Sequence, residues 1–416
     1  MGSGVIFRGQ WGRAAALVVA AAAVAAWTTI HVQAHKPITS RYTFNKDVLP
    51  IVREHCAPCH VGGGIAPMSL MTAADATPWA ESIRVELVAG HMPPWPLDTP
   101  PGRFRNENRL TGHDLDVLLT WATGGTPPGD PVDASPVTPR PDAQWPLGKP
   151  DIELTLDPVT IPANQQELVK SFVVQTGTSD RRFVRAVDLL PGTPAVVRSA
   201  RIAVQAGDDT RPVPAAAHIA IGVERTLALW LPGERPVPLE PGIGFELPAG
   251  APLAVEVRYR KTWQYEGKAM QDQSRIGIYF ARPNAVPVRA VTFRADSDAP
   301  VAGIGASIAQ SPGAGHTGVP TRLLAIEPDP GMDHTLVSVE LERRDHSTST
   351  LITARPSPAW ARRYWFTEPV ALPADASWTT RFAPYAEPAI LMSPTAAAAT
   401  QTAAPRAITL DVVEAR

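Results

Sequence analysis

From residue 148 to the C-terminus, apolar and polar residues alternate in short runs. "DIELTLDPVTIP", "KSFVVQT", "RFVRAVDLLPG", "TLALWLPG", "APLAVEVRYRKTW" and "SRIGIYFA" come first. "VRAVTFRA", "TRLLAIEPDP", "TLVSVELERR", "STLITARP", "RRYWFTEPVALP", "WTTRFAPY" and "AITLDVVEAR" follow. A period of two, broken by Pro, Gly and Asp turns, predicts antiparallel strands in a sandwich or jelly roll. The two sets predict two such domains, over 148–282 and 283–416. "TAAAATQTAAP", before the last run, reads as a flexible low-complexity loop.

Upstream the period changes. In "TFNKDVLPIVREHC", Val48, Ile51, Val52 and His55 fall at helical spacing. Asn45 is the expected N-cap, with Asp47 near the first turn. "TPWAESIRVELVAG" and "TGHDLDVLLTWATGG" predict further helices, the last opened by Thr111 or Asp114 and closed by Gly124 and Gly125. Leu115, Leu118, Leu119 and Trp121 would pack inward. The expected fold class is therefore multidomain: a small all-α domain over 35–130, a Pro-rich linker over 131–147, then two all-β jelly-roll or sandwich domains. The 45 prolines, roughly twice the usual share, suit a chain of loops and short strands, because proline breaks helices and central strands.

The N-terminus sets the compartment. Arg8 and Arg13 precede the apolar run Ala14–Ile30, and "HVQA" follows it. This pattern reads as a signal peptide with Ala34 the last residue removed, or as a retained anchor over 1–34. The run is slightly short for a span and mostly alanine. Either way the chain is exported, to the periplasm or the extracytoplasmic face of the inner membrane. A formal net charge of -2 carries no polyanion-binding signal, which excludes nucleic acid.

Chemistry concentrates in "REHCAPCHVGGGIAPM", which holds Cys56 and Cys59, the two cysteines of the chain, with His60 directly after. A two-residue gap suits redox dithiols more than structural bridges. Zinc ribbons need a second ligand pair, and the sequence has none. C-x-x-C-H is the attachment signal of a c-type haem. Two thiols add to the two vinyl groups along one porphyrin edge, and the next imidazole then lies beneath the iron. "VGGG" lets the chain turn tightly at that edge. One covalent haem c on Cys56, Cys59 and His60 is the expected cofactor. Met92 is the favoured sixth ligand, because Pro93 and Pro94 lock the backbone behind it and Trp95 can cover the haem face. His91 competes; Met68 and Met71 read as core fillers. His/Met ligation raises the reduction potential and closes the iron to substrates, so electron transfer is implied. His113 reads as a solvated first-turn residue, and Trp79, Trp95 and Trp121 as core.

These motifs, with "GGGIAPMSL", "WAESIRVELVAGHMPPW" and "LTGHDLDVLLTWATGGTPPGDP", resemble the class I-like cytochrome c domain at the front of exported bacterial multidomain proteins, over about residues 41 to 131. The β half resembles the two-jelly-roll copper type II, ascorbate-dependent monooxygenases (peptidylglycine hydroxylase-like). That resemblance rests on "GKPDIELTL", "LWLPGERPVPLEPGIGFELPAGAPLAVEVRYRKTW" and "DQSRIGIYFA". It implies a His-His pair where this chain has Arg198 and Ser199, and a histidine where it has Arg258, before Tyr259. Neither guanidinium nor hydroxyl is a reasonable copper ligand. For the second copper it leaves Met332 and His334 in "PGMDHTLVSV", and Met392 in a loop without a matching motif. His218, His316 and His346 read as surface residues. Copper is therefore not expected.

The expected function is one-electron transfer by an exported c-type cytochrome whose β region docks it onto a redox partner protein or membrane complex. No catalytic residue is assigned. One alternative is a copper-dependent monooxygenase fed electrons by the haem. Another is a structural subunit of a membrane-associated redox complex. Membrane association would run through the N-terminal segment.

Overall fold

The computed structural model describes residues 39–131, 144–205, 226–295, 320–329, 331–332, 335–374, 377–384 and 406–415. The N-terminal apolar run, most of the Pro-rich linker, His218, His316, His334, Met392 and "TAAAATQTAAP" lie outside the described residues. Among the described residues strands predominate and helices are few and short, so the fold is mostly β.

The first β unit contains β1 (Ile152–Thr155), β2 (Val159–Ile161), β3 (Glu167–Val174), β4 (Arg182–Leu190), β5 (Val197–Val204), β6 (Thr226–Trp230), β7 (Ile243–Leu247), β8 (Leu253–Arg260), β9 (Met270–Asp272), β10 (Arg275–Phe280) and β11 (Val286–Pro287). A five-stranded sheet runs β1-β10-β4-β7-β11, a four-stranded sheet runs β3-β8-β5-β6, and β2 pairs with β9. β8 shows why these runs become strands. Leu253, Val255, Val257 and Tyr259 are buried and the residues between them are not, the period of a pleated strand with one face on a core. Those side chains meet Val184, Val187, Ile276 and Ile278 of the other sheet in one core.

The second β unit contains β12 (Arg289–Ala295), β13 (Thr321–Pro328), β14 (Thr335–Glu342), β15 (Thr348–Ala354), β16 (Tyr364–Leu372), β17 (Ser377–Pro384) and β18 (Arg406–Glu414). Its sheets run β12-β18-β13-β16 and β15-β14-β17, sharing a core that includes Leu323, Val339, Ile352 and Leu410. The two units touch through Leu239 and Ile243 against Leu324 and Val413. A buried ion cluster adds to this junction. Arg363 lies 2.7 Å from Glu327 and 3.0 Å from Asp411, and Arg201 of β5 lies 3.1 Å from the same Glu327. Arg363 also donates to the Thr226 carbonyl of β6 at 3.0 Å.

The helical elements are a π-helical turn at Phe44–Val48 and helices at Leu49–His55, Ala73–Ala76, Ala80–Ala89 and Gly112–Thr123. Thr111 starts the last one with a capping box. Its hydroxyl accepts from the Asp114 N–H at 3.1 Å, and the Asp114 carboxylate accepts from the Thr111 N–H at 3.0 Å. The first turn starts two residues earlier than the sequence suggests. Thr43 is the N-cap, its N–H donating to Asp47 at 2.7 Å, and Asn45 lies inside the turn. Phe44, Val48, Val52, Leu118 and Trp121 bury their side chains together. Among the described residues no helix is long and apolar enough to cross a membrane.

The expectation of a small all-α domain followed by two jelly-roll domains is corrected here. Helices are few and short in a mostly β chain, and they do not close off a domain of their own. The loop after Ala80–Ala89 leaves them and enters the second β unit. Trp95, Leu97 and Phe104 are buried in that unit's core. Leu97 bridges Ala354, and Phe104 bridges Phe366. Backbone bonds follow: Asp98 N–H to the Thr353 carbonyl at 3.0 Å, Arg105 N–H to the Trp365 carbonyl at 2.8 Å, and Thr367 N–H to the Arg103 carbonyl at 2.9 Å. The physical reason is burial. Four short helices offer little apolar surface, whereas a sheet core can take three large side chains and satisfy the strand-like backbone beside them. Trp95, expected over a haem face, instead packs edge-on to Tyr364 with ring centroids 5.7 Å apart.

Candidate functional site

The helix Leu49–His55 ends where "CAPCH" begins. Cys56 still donates its N–H to the Val52 carbonyl, and the next turn is closed by Cys59 N–H and His60 N–H, both to the Cys56 carbonyl, at 3.0 and 2.8 Å. This winding puts Cys56, Cys59 and His60 on the wall of one large cavity. The chain then reverses at Gly62–Gly64. Gly63 sits at φ 74°, and a Cβ on Gly64 would come within 2.6 Å of the Cys59 carbonyl oxygen, so only glycine fits there. The reversal brings Met68 back to His60, whose Nδ1 lies 3.3 Å from the Met68 carbonyl. A hydrogen bond donated there by Nδ1 leaves Nε2 with its lone pair free, the tautomer a metal-binding imidazole needs.

The cavity measures about 940 Å³, the upper end of cofactor-sized sites. Val48, Val52, Leu87, Leu118 and Trp121 give it apolar walls, and Met92 reaches the same cavity from the loop after Ala80–Ala89. Met92 keeps 36% of its surface exposed. His91, its competitor, does not line the cavity; its Nδ1 sits 3.0 Å from Glu86 instead. Met71 is buried in the helical core, with Met68 packed against it.

Both cysteines are free thiols. Burial pushes Cys56 up to about 12 and, as the main cause, Cys59 up to about 11. Such thiols stay protonated at neutral pH, unlike the low-pKa cysteine of a redox dithiol. Burial also lowers the pKa of His60, which favours the neutral imidazole a metal requires. Two protonated thiols and a neutral imidazole on one turn, a thioether on the same wall and an apolar lining fit a covalently held haem.

No protein-family model matches this chain, and no curated protein matches it.

The β units complete the cavity, which sequence reasoning did not anticipate. Pro232, Gly233 and Glu234, from the loop after β6, and Arg362, just before β16, line it. The Cys59 thiol lies 3.8 Å from the Pro232 carbonyl. A Cβ built on Gly233, at φ 79°, would stand 2.3 Å from Pro58, so the loop touches the cysteine segment itself. Arg362 is held by Glu234 at 2.9 Å and lies over Trp95. Arg198 lines the cavity as well.

The positions discussed for copper hold no imidazole cluster among the described residues. Ser199 of β5 stands opposite Arg258 of β8 in register, while Arg198 faces the cavity instead. Met332 is buried in the second β core. His346 is exposed, 3.1 Å from Glu342, and His113 is exposed beside Tyr42. Among the described residues, no group of three or more His, Cys, Asp or Glu side chains is placed to hold a metal ion.

Proposed function

We propose that this chain is an exported c-type cytochrome that carries one covalent haem and transfers single electrons to or from a redox partner protein or membrane complex. The observation that supports this reading most is the shared cavity: Cys56, Cys59, His60 and Met92 all line it, and its other walls are largely apolar. Cys56 and Cys59 would hold the haem through thioether bonds. His60 would present Nε2 to the iron, oriented by the contact of Nδ1 with the Met68 carbonyl. Met92, on the same cavity wall, would offer its thioether as a further iron ligand. When bound, the haem supplies a one-electron couple, and His/Met ligation sets it at a high potential. The apolar walls keep water away, which favours electron exchange over reaction with small molecules. The β units contribute the surface by which the protein docks.

The test is maturation of the full chain in a host that attaches haem. Denatured protein should keep its haem spectrum, with one iron and no copper per chain. Replacing Met92 by alanine should abolish the weak near-infrared band of ferric His/Met haem. Haem that extracts freely into acidic organic solvent, or two tightly held coppers per chain, would overturn the reading.

A further inference from the structure

β5 and β8 pair in register except at one point. Val197 stands opposite Tyr259 and Ser199 opposite Arg258, so Arg198 is the extra residue of a β-bulge. A bulge re-aims one side chain out of the strand's alternation. Here it sends Arg198 to the cavity wall on the side of Cys59. The Nε atom of Arg198 is shut off from solvent with no hydrogen-bond partner among the described residues.

The neighbouring charges are accounted for. Glu234 is 2.9 Å from Arg362, Glu86 is 3.0 Å from His91, and Glu107 is 3.0 Å from Arg109. Behind Arg198, Arg260 is 3.2 Å from Glu167. Glu54 and Arg235 are exposed to water, which screens them, and Arg53 has a partner of its own. Arg198 makes no salt bridge among the described residues; the carboxylate that acts on it through space, Glu167, is already paired with Arg260.

We propose that Arg198 is a potential-setting residue: the bulge on β5 delivers a positive charge held in no salt bridge to the wall of the haem cavity, and that charge favours the reduced haem. The inference rests on the haem reading above. Its physical basis is that ferric haem carries one more positive charge than ferrous haem, so a nearby desolvated cation repels the oxidised state more. Exposed charges would be screened by salt; a group on a partly dry cavity wall is screened far less.

The test is a spectroelectrochemical titration of the haem-loaded full chain. Arg198→Gln should keep covalent haem and the His/Met spectrum. At a fixed applied potential its reduced-to-oxidised ratio should fall on the order of tenfold, equivalent to about 59 mV for one electron. Arg198→Lys, which keeps the charge, should stay within a few-fold of the wild type. Glu234→Gln should move the ratio the other way, because it leaves Arg362 unbalanced on the same wall. An unchanged potential in Arg198→Gln with the spectrum intact overturns the proposal, as does a lysine variant that falls as far as the glutamine one. If Arg198→Gln does not fold, the absence of an upward shift in Glu234→Gln overturns it. Wild-type protein without covalent haem sinks the haem reading itself, a different outcome from haem present with no shift.

Discussion

Two junctions in this molecule are built around arginine, and they are built differently. Where the β units meet, Arg363 and Arg201 face Glu327 and Asp411, two cations against two carboxylates. Where the first β unit meets the helical segment, Arg362 has Glu234 but Arg198 has no such counterion among the described residues. The first junction is closed and nearly water-free: Arg363, Glu327 and Asp411 are each less than 10% exposed. The second opens on the large cavity. A balanced buried cluster holds parts of a protein in register. An unbalanced charge at a cavity costs stability and persists where a ligand or cofactor makes use of it.

The largest effect is expected at the cavity. Changing Cys56 and Cys59 together to serine should abolish covalent haem, so that denatured protein loses its haem stain altogether. If the stain persists, the thiols are not the anchors and the cavity loses its assigned role.

Next comes the balanced junction. Arg363→Met leaves Glu327 and Asp411 buried without their main counterion, and breaking such a cluster costs about 3–5 kcal/mol. Denaturant unfolding should show that loss. A change below about 1 kcal/mol would mean the cluster is no better than a surface ion pair, and the contrast between the two junctions would disappear. Replacing Arg198 by glutamine should bring no comparable loss, because Arg198 is half-buried and leaves no salt-bridged carboxylate behind.

A third variant probes how tightly the β loop is pressed onto the cysteine segment. Gly233→Val puts a branched side chain at φ 79° and into Pro58, and overpacking of this kind costs about 1–3 kcal/mol. It should lower the unfolding midpoint while leaving the potential-dependent behaviour of Arg198→Gln in place. Wild-type stability in this variant would show that the loop yields easily.

The smallest effect is a pH dependence at the balanced junction. Burial pushes the Asp411 carboxyl up to about 6, with Glu327 reinforcing and Arg363 opposing. In the unfolded chain the same group titrates near 4. The folded form therefore holds the proton more tightly between these values. The stabilisation from this group is fully present below pH 4 and is lost as the pH rises through about 6. The wild-type stability curve should contain that falling component, and Asp411→Asn should lack it. An identical slope in the variant would assign the titration elsewhere.

Much of the local structure was legible along the chain. The alternating runs quoted above fall on strands, because alternation is what a half-buried strand requires. The missed elements were of two kinds: β9 and β11 span three and two residues, too few to show a period, while β5 and β7 do not bury alternate residues cleanly. Thr111 was legible as a cap because capping chemistry acts within one turn. Trp95 was misplaced, since a large apolar residue after "MPP" says only that it will be buried, not in which core. The fold class went wrong for the same reason. Helical spacing shows where helices form, but not whether a few short ones make a domain.

What the sequence determined by itself is the chemistry carried by neighbours in the chain. Cys56, Cys59 and His60 share one turn, and the glycines after them allow one reversal, whatever lies beyond. Only the tertiary structure decided what faces them. The Cys59 thiol and the Pro232 carbonyl are 173 residues apart in sequence and 3.8 Å apart in space. Arg198, read along the chain as a missing imidazole, becomes a cation on the wall of that cavity because a bulge turns it out of register. Local motifs are set by bonds within a few residues; the field they work in is set by packing between distant ones.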